Sequence, residues 1–168
     1  MTEERLNKIN GYFRTHDKAF FFLRIIYKYL PILIYLLYPL LLLNTFYCMV
    51  KFGNVEDFIN TLVIPAVTFL SVTALRILIN KPRPYEAMDI TPLFPKDTVG
   101  KSFPSRHSAS IFSIAMASFT FSTAVGVTLL IIGVIMCASR VIAGVHYISD
   151  VTAGAVFAIL LALLGLLI

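Results

Sequence analysis

The chain has 168 residues, 58% of them hydrophobic, with a mean hydropathy of +0.85 and a formal net charge of +5. That length holds one domain, and that composition excludes a water-soluble fold, so residues 1–168 are expected to form a single membrane-embedded domain. The basic residues gather near the N-terminus and between positions 76 and 106 without the aromatic interleaving of a nucleic-acid groove, which points to membrane flanks and an anion site and not to nucleic acid.

From Thr2 to Lys18 the chain is polar, with Leu6, Ile9, Tyr12 and Phe13 at near-helical spacing. This suits a short amphipathic helix on the membrane surface, with a disordered tail as the alternative. It is not the pattern of a cleavable signal, because the apolar segment behind it is too long. Ala19 to Val50 is apolar apart from Arg24, Lys28 and Asn44. Two crossings need about 40 residues plus a turn, so this reads as one long span, tilted or bent at Pro31 and Pro39.

Lys51 to Asp57 forms a polar loop, and Phe58 to Ile79 a second span with Arg76 in its final turn. Asn80-Lys81-Pro82-Arg83-Pro84 ends that helix, and Tyr85 to Phe103, punctuated by Pro92, Pro95 and Gly100, reads as an ordered loop. Helix signals resume at Pro104-Ser105, giving a third span to about Phe121. After an uncharged turn, a fourth span reaches Arg140, Gly144 interrupts it, and a fifth runs from His146 to Ile168. The expected fold is all-α: an integral membrane helical bundle of about five transmembrane helices with an N-terminal interfacial helix. Cys48 and Cys137 sit in apolar segments and read as free thiols.

Beyond His107 the only charged or imidazole side chains are Arg140, His146 and Asp150, isolated in membrane-grade sequence. Such groups are costly unless they pair or meet a charged ligand, so they mark a functional site, an internal ion pair being the alternative. Alternating spans bring one face together from the second span's end, the third's start, the fourth's end and the fifth's start. That face gathers Arg76, Arg83, Ser105, Arg106, His107, Arg140, His146 and Asp150. Taken singly, Arg76 reads as a snorkelling anchor, Arg83 as a loop residue, Ser105 as a helix cap, His107 as an interior histidine and His146–Asp150 as a structural lock. Together they read as a site, because random polar placement would populate both faces.

Guanidinium groups beside a helix N-terminus suit phosphate oxygens. Two histidines in one anion site supply a nucleophile and a general acid for phosphoryl transfer. His146 and Asp150 stand four residues apart, which on a helix puts them on one face. The carboxylate could then hold one ring nitrogen and leave the other free to attack.

These residues resemble the type 2 phosphatidic acid phosphatases, whose signature is K-x6-R-P, P-S-G-H and S-R-x5-H-x3-D. Here the motifs stand as Arg76-x6-Arg83-Pro84, Pro104-Ser105-Arg106-His107 and Ser139-Arg140-x5-His146-x3-Asp150. The resemblance implies that His146 takes up the phosphoryl group, Asp150 orients it, and His107 protonates the leaving oxygen and then helps water hydrolyse the intermediate. It implies that Arg76, Arg83, Ser105 and Arg140 hold the phosphate and that no metal or other cofactor is needed. Arg76 replaces the family's usual Lys, and Arg106 its usual Gly, a bulk that either alters how closely the backbone approaches the phosphate or adds a cation suited to a diphosphate, an interfacial anchor being the alternative.

The implied substrates are lipid-linked phosphates: polyprenyl diphosphate, phosphatidylglycerophosphate, phosphatidate or a lipid A phosphate. The rival reading is a non-catalytic lipid or anion carrier that keeps the cationic pocket, though a carrier has no need of the His146–Asp150 pair. Vanadate-dependent haloperoxidases share the motif chemistry but are soluble. Five spans put the N-terminus on the face of the site, where its basic residues argue for the cytoplasm. The resemblance argues for the extracytoplasmic face of a bacterial cell membrane, and that is the expectation adopted. The oligomeric state is left open.

Overall fold

The computed structural model describes residues 2–167, and among them there are helices and connecting segments but no strand. In order these are α1 (Glu3–Thr15), α2 (Asp17–Phe52), α3 (Val55–Ile79), the one-turn α4 (Pro84–Ala87), α5 (Arg106–Ser118), α6 (Thr123–Ile142) and α7 (Ile148–Gly165). The protein is an all-α membrane bundle. Four stretches, Asp17–Phe52, Val55–Ala87, Thr123–Ile142 and Ile148–Gly165, are long and apolar enough to cross a membrane. Their outward faces carry Leu36, Leu40 and Leu43 on α2, Leu70 and Leu78 on α3, Val134 on α6 and Leu164 on α7, as lipid contact requires.

The third expected span differs. With 13 residues α5 is about 20 Å long, short of the roughly 30 Å hydrocarbon core, and it ends at Ser118 instead of Phe121. It is the central helix, packed by α3, α6 and α7. Enclosure permits polar residues on it, because each of its three buried hydroxyls finds a carbonyl: Ser113 Oγ donates to Ser110, Ser118 Oγ to Ile114, and Ser108 Oγ across to Val151 of α7. The core around it joins Val72, Ala109, Ile111, Phe112, Ala115, Leu129, Met136 and Ala158. α7 approaches α5 closely at Gly154, where a Cβ would lie 2.5 Å from the Ser105 carbonyl oxygen and 3.1 Å from Ser108 Cβ.

The long first span is continuous through Pro31 and Pro39 and closes at Gly53, whose φ of 77° is left-handed and whose N–H reaches Met49. α3 stops in the same manner at Asn80, φ 42°, with its N–H on the Arg76 carbonyl. Between α6 and α7 the chain turns at Gly144, φ 74°.

The N-terminal segment is a helix and not a tail. α1 buries Leu6, and both Asn10 Nδ2 (3.3 Å) and Arg14 Nη2 (2.9 Å) donate to the Thr91 carbonyl. It therefore packs on the loop that precedes α5, on the face where α3 ends. The last helix begins at Ile148, two residues later than expected, and Ile168 lies outside the described residues. Cys48 and Cys137 are free and half-buried.

Candidate active site

Three helix ends and one loop deliver the cations. Arg76 leaves the last turn of α3 and donates through Nη1 to the Pro104 carbonyl at 2.8 Å. Arg83 precedes α4 and donates to the Gly100 carbonyl from Nε (3.1 Å) and to the Val145 carbonyl from Nη1 (3.3 Å). Arg140, in the last turn of α6, donates to the Tyr27 carbonyl at 3.2 Å and lies 4.1 Å over the Tyr27 ring. All three are buried, and each is steered by carbonyls or an aromatic face, with no carboxylate as partner among the described residues. Their charge is therefore free to meet an anion.

Between them lies a cavity of about 290 Å³, lined by Arg76, Arg83, Lys96, Lys101, Arg106, Arg140, His107 and His146 and, among the described residues, by no acidic one. Two buried polar atoms of the lining have no partner among the described residues, Arg140 Nε and Oγ1 of a further lining residue, Thr73. Buried N–H groups are seldom left unpaired, so the cavity is built for acceptor oxygens. Burial and the neighbouring Arg140 pull the Lys96 ammonium below its ordinary range.

The loop that closes the cavity is tied at both ends. Both Glu86 carboxylate oxygens accept the Gly100 N–H, at 2.8 and 3.0 Å, and Tyr85 Oη donates to the Thr98 carbonyl. Ser102 N–H reaches the Lys81 carbonyl at 2.9 Å.

His146 and Asp150 do meet, but not as a pair on one helical face. His146 lies before α7, Tyr147 is the N-cap, and Asp150 is the third helical residue, where its Oδ2 accepts the Tyr147 backbone N–H at 3.1 Å. Asp150 is fully buried and caps the helix, so the connecting turn brings the imidazole to it. His146 Nδ1 stands 3.6 Å from Oδ2, too long for a hydrogen bond, and 3.4 Å from Ser102 Oγ. Burial, reinforced by Arg83 and Arg76, pulls the His146 imidazole down to about 4 against the opposing pull of Asp150. A free ring-nitrogen lone pair is therefore present at neutral pH.

Ser105 stands apart from the cavity lining. It is fully buried, it does not line the cavity, and its Oγ accepts the Ser108 N–H as the cap of α5. Arg106 is exposed at the first position of α5, with its guanidinium 5.8 Å from the Phe69 ring, and it does line the cavity. His107 lines the cavity and also a second, apolar groove of about 400 Å³ between α2, α3 and α5, whose walls include Ile34, Tyr35, Tyr38, Leu62 and Phe69.

Residues 58–168 match the family model described as the PAP2 superfamily. The chain belongs to the PAP2 superfamily. Among solved structures it is similar to Aquifex aeolicus LpxE, with a TM-score of 0.73 and 25% identity over 98% of this chain and 94% of that one. It is also similar to a PAP2-type phosphatidylglycerolphosphate phosphatase from Bacillus subtilis, with a TM-score of 0.57, 20% identity, and coverage of 96% and 73%, a likeness of fold. Among curated proteins it is 40% identical over 65 residues to the Bacillus licheniformis bacitracin transport permease protein BcrC, a stretch that is 39% of this chain and 32% of that relative.

Of the residues read from the PAP2 motifs, the cavity gathers Arg76, Arg83, Arg106, His107, Arg140 and His146, with Asp150 behind His146 and Ser105 beneath α5. Thr73, Lys81, Lys96, Lys101 and Ser102 were not singled out by the motifs. Lys81 carried a signal, standing two residues before Arg83 in a turn that ends a span. Ser102 and Thr73 carried none, since an isolated hydroxyl has no sequence pattern.

Proposed function

We propose that this PAP2 chain is a membrane phosphatase that hydrolyses a lipid-linked phosphate or diphosphate through a phosphohistidine. One observation carries the reading: the cationic cavity and the apolar groove meet at His107, so a phosphate and its attached hydrocarbon chain can be held at once. The His146 lone pair attacks phosphorus, the bond from phosphorus to the lipid oxygen breaks, and His107 gives that oxygen its proton. Water then attacks the phosphohistidine, with His107 accepting a proton, and releases inorganic phosphate. Arg76, Arg83 and Arg140 stabilise charge on the non-bridging oxygens in both steps.

Phosphate release from lipid monophosphates and diphosphates in mixed micelles tests this. A carrier binds the lipid without releasing phosphate. Because three arginines meet the phosphate charge, EDTA leaves turnover within about twofold, while vanadate inhibits by mimicking the five-coordinate phosphorus. Loss of activity in EDTA that returns with one divalent ion overturns the assignment.

The surplus of cations over those needed for one phosphate favours a diphosphate, and Arg106 is the residue to probe. Arg106→Gly lowers turnover of a polyprenyl diphosphate by roughly tenfold to a hundredfold while changing phosphatidate turnover little, because the extra oxygens lose a charge-assisted contact. Equal loss on both substrates removes Arg106 from substrate choice. The proposed location of the site is the extracytoplasmic face of a bacterial cell membrane. Because α1 lies on the site's face, labelling a cysteine placed in α1 with an impermeant maleimide on whole cells tests the sidedness.

A further inference from the structure

We propose that Ser102 and Lys81 are positioning residues for His146, forming a relay in which the Ser102 hydroxyl joins imidazole to carboxylate and Lys81 holds the carboxylate from its other side. The inference rests on the reading of His146 as nucleophile. Ser102 is fully buried and its Oγ donates to Asp150 Oδ2 at 2.5 Å, so its lone pairs face the remaining neighbour, His146 Nδ1, at 3.4 Å. With the hydroxyl proton committed to the carboxylate, Ser102 can only accept from Nδ1. That assigns the ring proton to Nδ1 and leaves Nε2 unprotonated for attack. The direct His146–Asp150 separation of 3.6 Å makes the hydroxyl the shorter link.

Lys81 closes the other side. Its Nζ is 2.8 Å from Asp150 Oδ1 and 3.2 Å from Ser149 Oγ, and it lies 4.4 Å from the Tyr147 ring centroid and 5.4 Å from that of Phe103. The backbones are joined too, since Ser102 N–H donates to the Lys81 carbonyl and Ser105 N–H to the Asp150 carbonyl. The α3–α4 turn, the loop before α5 and the start of α7 thus converge on one carboxylate. A carboxylate held by four hydrogen bonds, from Lys81 Nζ, Ser149 Oγ, Ser102 Oγ and the Tyr147 N–H, cannot rotate away from the imidazole when phosphate enters.

Lys81 also sets charge. Around His146 stand Arg76 from α3, Arg83, Lys96 and Lys101 from the loop segments, Arg106 and His107 from α5, Arg140 from α6 and Asp150 from α7. Lys81 partly neutralises the single anion in that set. Removing it leaves Asp150 with its full charge, favours the imidazolium, and raises the pH at which His146 regains its lone pair.

The test compares purified wild type with Ser102→Ala, Lys81→Met, Lys81→Arg and His146→Ala on one lipid phosphate, reading kcat, KM and the acid limb of kcat/KM. Ser102→Ala and Lys81→Met each lower kcat by roughly tenfold to a hundredfold with KM within about threefold, as is typical of groups that orient a reacting side chain. Lys81→Arg recovers most of the loss, and Lys81→Met moves the acid limb upward by about half a pH unit or more. Wild-type kcat in Ser102→Ala overturns the relay. A loss of kcat in Lys81→Met with lower thermal stability and an unmoved acid limb assigns Lys81 a structural role and overturns the inference for it. Retained activity in His146→Ala brings down the nucleophile reading itself, an outcome distinct from either.

Discussion

His146→Ala lowers phosphate release by at least about a thousandfold and leaves the protein folded. Among the described residues the ring is the only imidazole in the cavity backed by a buried carboxylate, and its removal deletes no helix cap, since Tyr147 and Asp150 close α7 without it. Turnover measured beside size-exclusion behaviour and a thermal melt in detergent separates chemistry from stability. More than a few per cent of wild-type turnover in a folded variant sinks the covalent route. Asp150→Asn is milder, because an amide oxygen in the Oδ2 position still accepts from the Tyr147 N–H and the Ser102 hydroxyl, and the Lys81 contact at Oδ1 is what is lost.

Gly154→Val is the most damaging change away from the polar residues. Its Cβ would fall 2.5 Å from the Ser105 carbonyl oxygen and 3.3 Å from the Ala109 nitrogen. These are backbone atoms that cannot swing aside, so α7 must withdraw from α5. The cost is about 3 kcal/mol. The displacement also reaches chemistry, because the carbonyl in question belongs to the cap of α5 and His107 follows two residues later. The expected result is a lower melting temperature together with at least about a tenfold loss of turnover. A variant that melts and turns over as wild type shows that the two helices tolerate a wider separation than their packing implies.

Much of this arrangement was legible in the sequence. Long apolar runs identified α2, α3, α6 and α7, because in lipid a helix must satisfy its own backbone. The isolation of Arg140, His146 and Asp150 marked the candidate site for the same reason. Legibility failed where enclosure and local capping replaced the lipid rule. α5 is short and serine-rich because protein surrounds it, so a length criterion tuned to lipid overestimates it. The start of α7 was misplaced because Asp150 reads equally well as a helix-face residue and as a cap. Ser105 caps α5, whereas Asp150 both caps α7 and stands beside the imidazole. Lys81 and Ser102 become visible only when three distant segments are brought to one carboxylate.

The apolar groove between α2, α3 and α5 has a kinetic consequence. A lipid phosphate that enters as proposed, sideways along this groove with its tail among other tails, never crosses bulk water, so its arrival is a two-dimensional diffusion problem. The relevant concentration is then moles per mole of surrounding amphiphile and not moles per litre. Adding inert detergent at constant total lipid thins the substrate within each micelle and slows turnover, although nothing binds to the protein and the flask contains as much substrate as before.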